Sequence, residues 1–82
     1  MKETYKALHL KYLKMRYGEK AEQWKDITTD DRLIYCNIYH MMIEALESLP
    51  DEPNNYVCVA LNKKMERDCS TLESIKTVFG DR

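Results

Sequence analysis

Eighty-two residues make one domain, near the lower limit at which a single core is self-sufficient. An apolar share of 44% with two glycines and two prolines excludes collagen-like and disordered classes. A formal net charge of −1 gives the whole chain no general attraction to nucleic acid or to an acidic membrane.

The first helix is expected from about Thr4 to Tyr17, with Thr4 as cap and Gly18 as a left-handed stop. Its apolar groups form two stripes, Tyr5-Leu8-Tyr12-Met15 and Leu10-Leu13-Tyr17. A helix with two stripes has two neighbours, or one neighbour and a partner molecule. Glu19 to Ile27, with Trp24, reads as a short helix or a turn. Thr28 and Thr29 then offer an N-cap, and Asp30 and Asp31 fall in a first turn, where the helix dipole favours acids.

The helix that follows, from about residue 30 to 49, is the most informative stretch. Wound at 100° per residue, its apolar side chains cover an arc of about 200°, against a usual stripe of roughly 100°. Such a helix needs cover on two or three sides, and a chain this short has little to spare. The first helix and the C-terminal segment are expected to cover part of the arc. The flank around Tyr35, Tyr39 and Ile43 is expected to stay open, for a second copy or a target protein.

Pro50 to Asn55 is the one clear loop. Tyr56 to Asn62 alternates as a strand would, through Val57, Val59 and Leu61. Yet Cys58, Leu61, Met65, Leu72, Ile75 and Phe79 keep helical spacing, and a lone strand has no partner, so a helix from about 55 to 67 is favoured. Ser70-Thr71-Leu72-Glu73 has capping-box spacing and predicts a separate last helix that stops at Gly80. The expected fold is all-α: one domain over 1–82, a small bundle of three to four helices around the apolar one.

No pattern carries strong chemistry, and the chain reads as a non-enzyme without cofactor. Cys36, His40 and Glu44 stand in line on one helix face, an array that could ligate zinc or form a thiolate–imidazolium pair. Zinc sites need more ligands and nucleophiles need an orienting group, so Cys36 reads as a small core residue and no metal is expected. Three cysteines, Cys36, Cys58 and Cys69, are odd in number and lack metal-type spacing, as reduced cytoplasmic thiols would. The N-terminus has no apolar signal region behind its charges. The longest uncharged stretch, Leu33 to Ile43, is too short to span a bilayer, so no membrane association is expected.

Charge is unevenly spread. Residues 1–20 carry about +4, residues 21–54 about −6, and the rest about +1. Lys11, Lys14 and Arg16, interleaved with Tyr12 and Tyr17, are therefore the candidate contacts if the chain binds nucleic acid. Leu13 to Tyr17, Trp24 to Ile27, then Ile38, Ala45 and Leu46, resemble the helix-turn-helix layout of sigma-factor region 4. The likeness departs at Asp31, Arg32 and Ile34, where that motif needs an apolar residue, a turn glycine and a polar helix start. The motif is not assigned.

The favoured reading is a small interaction protein that self-associates, as a dimer, and binds a partner protein through an apolar Tyr/Met-rich face. Tyr35, Tyr39, Met42, Ile43, Tyr12 and Tyr17 are its expected contacts. The size suits a regulator, inhibitor or adaptor of the sort phages and mobile elements encode.

Overall fold

The computed structural model describes residues 4–80 and contains three helices: α1 (Tyr5–Trp24), α2 (Asp30–Glu47) and α3 (Asn55–Phe79). The all-α bundle expected from the periodicity is what forms, and residues 56–62 are helical.

α1 starts where Thr4 Oγ1 accepts from the Ala7 N–H at 3.1 Å. It does not stop at Gly18. The helix runs on to Trp24, so the segment read as a separate helix or turn is its last two turns. Glycine inside a helix costs up to about 1 kcal/mol relative to alanine. Burial of Ala21 and Trp24, both on the inward face of the extension, outweighs it. Ile27 N–H then closes a turn onto Trp24 O at 3.0 Å.

α2 begins after Thr29, whose side chain makes no cap bond, with Asp30 and Asp31 in the first turn. It ends as Ser48 N–H reaches Glu44 O at 3.1 Å. α3 begins at an Asn54 cap, whose Oδ1 accepts from Val57 N–H at 2.9 Å, and ends at Gly80, where φ is 73°. That positive φ favours glycine, as the sequence suggested. The two helices expected on either side of Ser70 are one. Glu73, which a capping box would fold back on Ser70, instead accepts from Arg16 Nε of α1 at 2.9 Å.

Short loops make α2 antiparallel to both neighbours, so α1 and α3 run parallel. The cross-links rise together along the pair: Tyr5 to Asn62, Arg16 to Glu73, Trp24 against Phe79. The α2 backbone lies close to both neighbours, while the wider α1–α3 gap is bridged by long side chains. Tyr5, whose hydroxyl donates to Asn62, and Trp24, its ring centre 6.0 Å from that of Phe79, supply that reach; between α1 and α2 the aromatic side chains pack on one another. Tyr17, Tyr35 and Trp24 meet edge-on at centroid distances of 6.5 Å (Tyr17–Tyr35) and 5.2 Å (Trp24–Tyr35).

Candidate protein-binding surface

Four of the six expected contact residues lie inside the molecule. Tyr35 and Met42 are 0% exposed, Tyr17 1% and Tyr39 8%. Ile43 is half-buried against the same core, and only Tyr12 is open, at 53%. The expected open flank is therefore a correction: α1 covers it. Tyr35 OH donates to Tyr17 O at 3.3 Å, Cys36 Sγ donates to Ala21 O at 3.5 Å, and Tyr39 lies over Gly18.

The arc does exceed what the bundle can cover, but its open part is the opposite flank. Ile34, Ile38, Met41 and Ala45 fall within about 60° of one another on α2. Ile34 is 45% and Met41 62% exposed, and Ile38 and Ala45 are half-buried. Met41, Glu44, Ala45 and Ser48 line a shallow hollow of about 320 Å³ there.

A second stripe runs along α1. Leu8, Tyr12 and Met15 also lie within about 60°, and all three are exposed, Met15 at 75%. This is one of the two stripes legible in the sequence, less Tyr5. The Tyr5 hydroxyl turns to α3 and donates to Asn62 Oδ1 at 2.6 Å. On α3, Asn55, Tyr56, Val59, Ala60 and Lys63 border a wider hollow of about 670 Å³. Each hollow is lined from a single helix, so none encloses a small molecule. They suit the side chains of another protein.

The candidate chemical array does not assemble. Cys36 is buried, and burial, followed by the nearby Glu22 charge, pushes its thiol up, away from the thiolate that nucleophilic chemistry needs. His40 is exposed and lies against Tyr39, ring centroids 5.3 Å apart. Among the described residues no three metal-type side chains converge. Burial likewise pushes the Cys69 thiol up.

The basic residues do not share a face. Arg16 is turned to α3 and Glu73, and Lys14 stands about 200° round the helix from it. Lys11 and Lys14 are both exposed. Lys6, by contrast, binds the end of α2, donating to Glu47 O at 2.9 Å with Asp51 at 4.0 Å. No described helix is long and apolar enough to cross a membrane. No protein-family model matches the chain, and neither does any curated protein or solved structure.

The sequence missed Leu8, Met15, Ile34 and Met41 as surface groups. Their spacing was visible; what hid them was the docking angle of α1 on α2, which decides which side of a wide arc is covered.

Proposed function

We propose that this protein is a non-enzymatic helical interaction module, a regulator, inhibitor or adaptor that acts by occupying other protein surfaces. The observation that carries this reading is the pair of exposed apolar stripes, Leu8-Tyr12-Met15 on α1 and Ile34-Ile38-Met41-Ala45 on α2. Scattered exposed apolar residues are ordinary on any surface, whereas aligned rows mark contact sites. Both rows include a methionine, whose unbranched chain adapts to a partner's shape.

Self-association belongs to the same reading, with the α1 stripe as the face for a second copy. Lys11 and Glu19 border it, one of each sign, so two α1 helices can pair without a like-charged seam. Light scattering at micromolar concentration tests this. A mass twice that of the 9.8 kDa chain is expected, reduced to one chain by Tyr12→Glu with Met15→Glu. A monomeric parent protein removes self-association from the function.

A further inference from the structure

The two stripes differ in their surroundings, and the difference says what each can take. α2 from Asp30 to Glu47 contains four acids, Asp30, Asp31, Glu44 and Glu47, and a single base, Arg32. Asp30 stands in line with the α2 stripe one turn before Ile34, and Glu44 stands beside Met41 and Ala45. Neither carboxylate takes part in an ion pair among the described residues. Arg32 is held elsewhere, its guanidinium 5.2 Å from the Trp24 ring centre and 4.8 Å from that of Phe79. On the α3 side, Lys64 is already bonded to Asp68 at 2.8 Å. The stripe is thus an apolar seam bordered by two carboxylates that form no ion pair among the described residues.

That border selects the occupant. A second copy laid α2 on α2 would bring acids of both chains round one seam while the single base of each α2, Arg32, is turned to Trp24 and Phe79, and like charges at a contact oppose association. A long basic side chain is answered twice over. Its alkyl stem fits the hollow between Met41 and Ala45, and its charged head meets Glu44 at the rim of that hollow.

We infer that the outward face of α2 docks a basic amphipathic helix of another protein, which completes a four-helix bundle. This rests on the interaction reading above and adds the chemistry of the partner. The seam from Ile34 to Ala45 is about 16 Å long, or about three turns. The incoming segment therefore presents apolar residues at i, i+4, i+7 and i+11, with Lys or Arg beside them.

The test uses two synthetic peptides of about 18 residues, long enough for appreciable helicity. Both carry leucine at those four positions, one with lysine and the other with glutamate at the flanks. Fluorescence anisotropy against the full chain at low salt is expected to show the lysine peptide binding at least about tenfold tighter, with the margin shrinking as salt rises. Ile34→Ser with Met41→Ser should abolish binding. Asp30→Lys with Glu44→Lys should reverse the preference, and Val78→Ser on α3, at a side chain 75% exposed, should leave it unchanged. All these side chains are exposed, so each variant keeps the parent's helical circular dichroism.

Equal binding of the two peptides would overturn the inferred charge selection while leaving an interaction module standing. Binding of neither would overturn the docking site itself, and the dimer measurement on the α1 face would then decide the wider reading separately. A two-chain mass lost in Ile34→Ser with Met41→Ser would overturn it too, since it would assign the face to a second copy.

Discussion

A methyl group placed on Gly18 would lie 3.1 Å from the hydroxyl oxygen of Tyr39. The glycine therefore admits the tip of a tyrosine from α2, and α1 continues through it as ordinary helix. Gly18→Ala removes a helix penalty of about 1 kcal/mol but pushes on that hydroxyl. Alone it should change stability by less than about 1 kcal/mol, because the two effects oppose. Combined with Tyr39→Phe, which removes the oxygen, the alanine should become stabilising by about 0.5–1 kcal/mol. A urea-denaturation double-mutant cycle reads the coupling. Additive effects would show that Gly18 is there for some reason other than the tyrosine.

Met41 and Met42 are neighbours in sequence and stand about 100° apart on α2, one open to solvent at 62% and the other in the core at 0%. Met42→Asp buries an unpaired charge in the middle of the core and should cost more than about 3 kcal/mol, a large share of the roughly 4–12 kcal/mol that holds a domain of this size. Met41→Asp should stay within about 0.5 kcal/mol. Thermal melts of the two variants make the comparison. Equal damage from both would mean that the outer face of α2 is already covered in the free protein.

The alkaline limb of stability is a consequence of the core tyrosines and thiols. Burial raises Tyr17 first and foremost, with the Cys69 thiol and Tyr12 beside it adding to the effect. Burial raises Tyr39 as well, reinforced by Glu22 and Glu47. Folded-state values above the unfolded ones mean that the native state holds its protons longer. The associated stability is complete below the unfolded values of 9.0 for cysteine and 10.0 for tyrosine, and it is lost as pH climbs from there toward the folded ones. Denaturation midpoints should be flat from neutral pH to about 8.5 and then fall. Tyr17→Phe should soften the fall above pH 10, at some cost in stability near neutrality. If the variant's curve parallels the parent's at every pH, Tyr17 is not a source of the alkaline loss.

Helical periodicity made most of the fold legible. The wide apolar arc of α2 located the centre of the bundle, and Thr4 and Gly80 occupy real ends. Two boundaries misled, at Gly18 and Ser70, for one reason. A glycine or a capping box states a local preference of about 1 kcal/mol, and packing of Trp24 or Leu72 on a continued helix is worth more. The candidate surface was legible only in part. Arc width and the second α1 stripe showed that some apolar area would remain open. Which flank stayed open depends on where α1 and α3 dock, and no residue of α2 encodes that by itself.

Ser70 gives the sharpest test of the continuous α3. As the start of a separate helix its side chain would accept from a backbone N–H two or three residues on, and Ser70→Ala would cost about 0.5–2 kcal/mol. In the continuous helix it is an exposed interior residue, and its carbonyl accepts from the Ser74 hydroxyl at 3.0 Å. Thr71 likewise bonds back to Arg67 O at 3.2 Å, inside the helix and not at its end. Serine in such a place competes with the backbone and lowers helix propensity relative to alanine. Ser70→Ala should therefore stabilise the protein by a few tenths of a kcal/mol, about 0.3–0.5. The sign alone decides, and a chemical-denaturation midpoint measures it. A loss of about 1 kcal/mol would break α3 in two at Ser70, and it would free Glu73 from Arg16 for the capping role that its spacing suggests.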